Sequence, residues 1–429
     1  MENDTNYGRE QMNRITGKSD NLEFGSAIVF ALSSLANVLG AIFQIVAGRI
    51  LNSTILYADL NVLSSLYTIL MLPATMIGMV IAKYVADFER MGQYGHIKTF
   101  TKIIMKPIML IAVTYIMMGW LLQDVVSDYL FLEDKYLVFL VFVLAAISIL
   151  AVISTGSLQG MKLFLLYGVI GLIGPITKLI AIFAALFVTK KLLAVFIVWI
   201  VGILLAFVIG LIIVDRNLKG HKGDKLEMNW KLVCQYGSFA LLINLGLSLI
   251  SNLDILFIKH FFTAEAGLYS TALILGKTVT YFGGAIVVVL FPLTVGAQDD
   301  DNYAQKLLTK SLIYNAVLCI MVIAFLNFFG DFIVCFMYGS TYLNSTQYLF
   351  PISIMVFPMS MITLIVNYAL ARNKEQSLIY ILLCGVAIEI IAASLWHESI
   401  VQMIWMLAGI MWVLFLMSLA YILYNKKCN

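Results

Sequence analysis

Polar positions in this chain do not alternate with apolar ones. They punctuate long apolar runs, and the runs recur at a length of about 20 residues. At a rise of 1.5 Å per residue, a helix of about that length matches the ~30 Å hydrocarbon core of a bilayer. Twelve runs can be counted, near 24–48, 56–82, 103–123, 136–157, 163–187, 192–214, 233–258, 268–296, 311–336, 348–371, 377–396 and 400–424. Each is predicted to be a transmembrane helix, because a helix satisfies every backbone group where no water is available. No water-soluble domain fits between them. The first run is too long for the apolar core of a cleavable signal, and no small-residue cleavage site follows it, so it is expected to stay as a helix.

Composition agrees with the pattern. Hydrophobic residues make up 62% of the 429 and charged residues only 12%, against roughly 25% charged in a soluble domain. The sequence therefore predicts an all-α polytopic membrane protein. Orientation follows from the excess of Lys and Arg in cytoplasmic loops. With both termini cytoplasmic, most of the 27 basic residues fall on the cytoplasmic side, and only Arg49, Lys135, Lys190, Lys191 and Lys259 lie outside or at the outer edge. The net charge of +3 is thus a consequence of topology and calls for no nucleic-acid partner. Five scattered cysteines without a CxxC spacing point to neither a disulfide framework nor a metal site. No cofactor is expected.

The polar, basic stretch "DRNLKGHKGDKLEMNWK" at 215–231 divides the runs into six and six. Sliding one half on the other at an offset of 212 residues superposes Gly25-Ser26 on Gly237-Ser238, Leu56-Tyr57 on Leu268-Tyr269, Asp87 on Asp299 and Lys162 on Lys374. The chain reads as a duplicated six-helix unit. The expected organisation is a cytoplasmic tail at 1–23, an N-terminal bundle at 24–214, a cytoplasmic linker at 215–232, a C-terminal bundle at 233–424 and a second tail at 425–429. Two copies of an even-numbered unit share one orientation, and such halves usually enclose a central site and rock about it. All six prolines lie in or at the ends of predicted helices, where they favour bends.

Six charges in or at the edge of the apolar runs are candidates, each on a different predicted helix: Arg49, Asp59, Lys178, Asp254, Lys277 and Glu389. A charge at the centre of a membrane helix costs about 2.5 to 3.5 kcal/mol, whereas a Leu or Ile returns about 0.3 to 0.6. One can be carried by an otherwise apolar helix; six need partners or water. Counted by helical rise, all lie in the outer half, with Lys178 and Lys277 roughly 15 Å deep. A water-filled vestibule would solvate them together. Simpler readings stand beside this one: Asp254 and Lys277 closing a salt bridge within one hairpin, Glu389 meeting Ser394 or His397, and Arg49 and Asp59 reaching to the interface. Asn37, Gln44, Asn61, Asn244, Ser251, Asn252, Thr278 and Tyr281, on the first two helices of each half, suit either a polar lining or interhelical hydrogen bonds.

The stretch "NLDILFIKHFFTAEAGLYSTALILGKTVTYFGGAIVVVLFP" at 252–292 resembles the seventh and eighth helices of polysaccharide transporters, the Wzx-type flippases of the multidrug/oligosaccharidyl-lipid/polysaccharide superfamily. Asp254, Gly267-Leu268-Tyr269, Lys277 and Phe291-Pro292 carry the resemblance, and "STGSLQGMKLF" at 154–164 fits it more loosely. The resemblance implies about 12 helices in two bundles forming a V around a central cavity. It also implies export of undecaprenyl-diphosphate-linked oligosaccharide across the cell membrane, alongside a polysaccharide polymerase and glycosyltransferases. On that reading Arg49, Lys178, Lys277, Asn252 and Tyr281 bind substrate, and Asp59, Asp254 and Glu389 couple ions or pair with the basic groups. A drug/cation antiporter of the same superfamily would use those carboxylates too, although the deep positive charges argue against cationic drugs. A membrane enzyme is disfavoured by short outer loops without paired carboxylates or a His cluster. There is no Walker A motif, hence no ATP hydrolysis by this chain.

Overall fold

The structure is a computed structural model that describes residues 22–188, 191–221, 223, 226, 230–296, 301–372 and 376–424. The tails, most of the linker, Lys190, Asp299 and Lys374 lie outside these. In chain order the helices are α1 (Leu22–Leu51), α2 (Thr54–Leu70), α3 (Leu72–Arg90), α4 (Tyr94–Tyr129), α5 (Tyr136–Gly160), α6 (Phe164–Ala184) and α7 (Lys191–Asn217), then α8 (Trp230–Phe261), α9 (Ala266–Gly296), α10 (Asp301–Phe328), α11 (Gly330–Met337), α12 (Leu349–Ala371), α13 (Gln376–Leu395) and α14 (Ile400–Tyr424). Short 3₁₀ turns occupy Ala185–Phe187 and Ser340–Tyr348. Among the described residues there is no strand, and ten helices are long and apolar enough to cross a membrane, or eleven spans if α2 and α3 count as one. The protein is an all-helical, multi-pass membrane protein.

Two expected runs prove to be broken. The second, at 56–82, divides into α2 and α3, which meet at 41°. Pro73 stands at the start of α3, where its missing N–H and fixed φ end one helix and begin the next. The ninth, at 311–336, stops at Phe328, and α11 follows as a separate eight-residue helix.

The chain packs as two units. One comprises residues 1–50, 70–128 and 132–238; the other comprises 51–69, 129–131 and 239–429. In the first, α5 is the inner helix and packs on α3 and α7, with α6 against α7. Its sequence is apolar all round, and Ala145, Ala146, Ser154, Gly156, Ser157 and Gly160 are buried on it. Small residues let neighbouring backbones approach: a Cβ on Gly160 would meet the Ala82 carbonyl oxygen at 2.7 Å. The serines spend their hydroxyls on their own helix, as in Ser148 to Leu144 and Ser157 to Ile153, so they pack without unsatisfied polar atoms. In the second unit α12 plays the same part, packed on α9, α10 and α14. At the sequence offset of the two halves, α12 is the counterpart of α5, so the fourth apolar run of each half is its buried helix. Elsewhere large apolar side chains stay uncovered, among them Phe30, Leu110, Leu205 and Ile391, as expected of faces that meet lipid.

Candidate functional site

The chemistry concentrates in the second unit, where α8 and α9 run on from one another through a short turn. Asp254 on α8 is buried, and its Oδ2 accepts the hydroxyl of Tyr269 on α9 at 2.8 Å. Its other oxygen, Oδ1, has no hydrogen-bond partner. Two turns along α9, Lys277 Nζ donates to the Ser251 carbonyl of α8 at 2.8 Å. The salt bridge considered for this hairpin is therefore not formed. Each charge takes a neutral hydrogen-bond partner instead, with Lys277 still near enough to act on Asp254 electrostatically.

Both residues line a cavity of about 140 Å³ inside the second unit, together with Ser251, Thr280, Ile250 and Leu273, and with Met355, Met359 and Met411 from α12 and α14. Methionine walls adapt to irregular contents, and the polar lining groups Ser251, Asp254, Lys277 and Thr280 all come from α8 and α9, a mixture of apolar wall and few polar groups typical of ligand pockets. Glu389 on α13 is fully buried, and neither of its carboxylate oxygens has a hydrogen-bond partner. It lies within electrostatic range of Asp254 and Tyr269. The contacts foreseen for it are made elsewhere: Ser394 donates to the Ile390 carbonyl, and His397 stacks on Phe261 at 4.1 Å between ring centroids.

Asp59 is the one charged candidate whose sequence half and unit differ. It sits on α2, buried, with Oδ1 at 2.5 Å from Lys259 Nζ at the end of α8. Lys259 is fully buried. It was expected at the outer edge, and the structure places it in the last turn of α8, which runs on to Phe261, with its side chain covered by protein. Sequence reasoning missed this residue because the apolar run appeared to stop at Ile258. The available signal was Asp59, a buried acid that needed a base.

In the first unit, Lys178 on α6 lies between aromatic faces, with Nζ 4.4 Å from the ring of Phe43 and 4.2 Å from that of Trp199. Ring quadrupoles attract a cation in this position and leave its N–H donors unspent. Arg49 is exposed at the end of α1. Of the neutral candidates, Asn252 donates to Ser248 within its own helix, as Asn61 does to Tyr57 and Ser251 to Leu247. Tyr281 is exposed, and neither it nor Asn252 is among the residues lining the cavity. These polar side chains thus follow neither of the two expected patterns in full, since much of their hydrogen bonding stays inside one helix.

The family model described as polysaccharide biosynthesis protein matches residues 96–347. No curated protein matches the sequence. Among solved structures, the fold is similar to a multidrug resistance MATE family transporter of the MOP superfamily in an inward-facing conformation (TM-score 0.70, 12% identity, covering 94% of this chain and 99% of that one). It is similar also to the lipid II flippase MurJ in an inward closed conformation (TM-score 0.66, 14% identity, covering 94% and 87%). A third is a MOP superfamily transporter from Pyrococcus furiosus (TM-score 0.63, 10% identity, covering 95% and 94%), described as having a binding pocket of reversed polarity. At these identities the likeness is one of fold.

Proposed function

The chain belongs to the polysaccharide biosynthesis protein family, and on that premise we propose that it flips lipid-diphosphate-linked oligosaccharide from the cytoplasmic to the outer leaflet by alternating access. The observation that carries the reading is the pair of lysines, one in each unit. Lys178 is caged by rings and Lys277 is held by a backbone carbonyl; among the described residues neither is in direct contact with a carboxylate, although Lys277 shares its cavity with Asp254. Positive charge of this kind, surrounded by apolar helices, is suited to a diphosphate, which brings the counter-charge with it. Asp59, by contrast, is already neutralised by Lys259. Sugars would meet the polar groups of the cavity, while the lipid tail stays in the bilayer.

On this reading the protein resides in the cell membrane with both termini cytoplasmic. The chain would cross the membrane twelve times, and Arg49, Asn252 and Tyr281 would contribute to the substrate path. Asp254 and Glu389 would then tune or couple transport. Family and fold both indicate a transporter rather than a catalytic enzyme.

One observation favours a second reading, a proton- or sodium-coupled cation antiporter: the unpartnered oxygens of Asp254 and Glu389 could accept a cation. The two separate in proteoliposomes loaded with a fluorescent lipid-diphosphate oligosaccharide. The flippase reading expects the wild type to move the headgroup across the membrane and expects Lys178→Ala and Lys277→Ala to lose that activity at matched insertion. If the wild type moves no such lipid and instead exchanges an organic cation for protons or sodium, the antiporter takes its place.

A further inference from the structure

The last turn of α8 has a role that substrate binding leaves unexplained. Lys259 holds Asp59 of α2 at 2.5 Å with both side chains buried. The next residue, His260, lies flat on the ring of Tyr129 at 3.9 Å between centroids, and its Nδ1 donates to the Tyr129 carbonyl at 2.6 Å. Both partners come from the first half of the sequence. Yet α2 and residues 129–131 are the two stretches of that half that pack within the second unit. Around α2 the grip is reinforced by Tyr57, whose ring meets Tyr338 and Tyr342 edge-on at 5.9 and 5.5 Å, and by the Tyr342 hydroxyl, which donates to the Ser53 carbonyl at 3.2 Å.

The backbone is broken where these stretches enter and leave. Asn52, just before α2, has φ of 44°; α2 and α3 meet at 41° beside Pro73; and Phe131 has φ of 50°. Left-handed φ values at non-glycine residues and a proline break are points at which a segment can swing without unwinding its helix.

We propose that the C-terminal turn of α8 is a releasable clasp: adjacent residues Lys259 and His260 hold α2 and residues 129–131 on the second unit in one state of the transporter and let both go in the other. The choice of contacts supports a joint made to open. A permanent seam would be held better by apolar side chains, because a buried ion pair roughly breaks even against the cost of desolvating its charges. An ion pair also regains its hydration when water enters, so the closed and open states stay close in free energy, as a bistable element requires. The stack on His260 involves partly exposed rings, which separate at little cost. This inference concerns motion of the chain and holds whichever molecule is carried.

The test uses the full chain with its five native cysteines replaced and one cysteine introduced at Val62, which is fully buried on α2. A water-soluble maleimide then reports release of α2. Val141→Cys, equally buried on α5, reports unfolding and should stay unlabelled. The clasp predicts slow labelling of Val62→Cys in the parent. Lys259→Met should accelerate it by at least about tenfold, since loss of a buried charge partner exceeds one factor of ten in an equilibrium constant. The exchanged pair Asp59→Lys with Lys259→Asp should return the rate toward the parent. His260→Ala, at the partly exposed stack, should also accelerate labelling and does not depend on a variant that removes a buried charge. Full protection of Val62→Cys in the parent, or a rate untouched by His260→Ala, would make α2 a fixed part of the second unit and overturn the proposal.

Discussion

Replacing Asp59 by Leu would leave Lys259 as a fully buried ammonium, and the size of the penalty can be worked from the geometry. The charges are 2.5 Å apart, with 0% and 4% of the two side chains exposed. At an effective dielectric near 20, their attraction is about 6 to 7 kcal/mol. That gain is largely offset by the desolvation of both groups, so the intact pair contributes little net stability, while removing either partner costs about 3 to 5 kcal/mol. Lys259 makes no hydrogen bond that could take up the loss. A double-mutant cycle measured by reversible denaturant unfolding in mixed micelles isolates the effect: Asp59→Leu and Lys259→Met should each lose about 3 to 5 kcal/mol, and the double variant should recover most of it. Additive losses in the double variant would mean that the two groups do not depend on one another in the ground state, and the reasoning would fail.

Other consequences are open to the same kind of measurement. Glu389→Leu removes two buried acceptor atoms that have no partner and should stabilise the protein by about 1 to 3 kcal/mol, whereas a loss of stability would show that the carboxyl group is satisfied. Tyr269→Phe strips Asp254 of its 2.8 Å donor and should cost about 1.5 to 3 kcal/mol, readable as a lower unfolding midpoint. Gly267→Ala places a Cβ 2.1 Å from the Thr54 carbonyl oxygen; because the obstacle is backbone, about 1 to 3 kcal/mol should be lost, and an unchanged midpoint would contradict the packing of α9 on the start of α2. Lys178→Met should keep the fold within about 2 kcal/mol, since the lost cation–π attraction is offset by relief of a buried charge. Headgroup transport in proteoliposomes should nevertheless fall at least about tenfold, a loss of more than 1.4 kcal/mol in transition-state stabilisation.

How far the site could be read ahead depended on how local its causes are. Asp254, Lys277 and Glu389 stood out because a charge inside an apolar run is costly wherever the helix ends up, and all three lie inside the second unit. Lys178 stood out likewise, but its two ring partners come from α1 and α7 and carry no mark in the sequence. Lys259 did not stand out because it follows the last residue of an apolar run, where a lysine is ordinary; its burial against Asp59 is a matter of packing. The methionines that wall the cavity were hidden among 21 in the chain, since nothing about an isolated methionine distinguishes a cavity wall from a core.

What the sequence determined by itself is the set of helices and their membrane character. Hydrocarbon thickness and the need to satisfy every backbone group act on each run of about 20 residues separately, with no information required from the rest of the chain. The bend at Pro73 is legible for the same reason, because a proline acts on its own helix. Only the tertiary structure decided which charge meets which: Asp254 with Tyr269, Lys277 with a carbonyl, Asp59 with Lys259 on a helix of the other half. Those pairings depend on the rotation of each helix about its axis and on which neighbours crowd it. Both are set by packing summed over the whole unit, and neither is written in the composition of the segment that carries the charge.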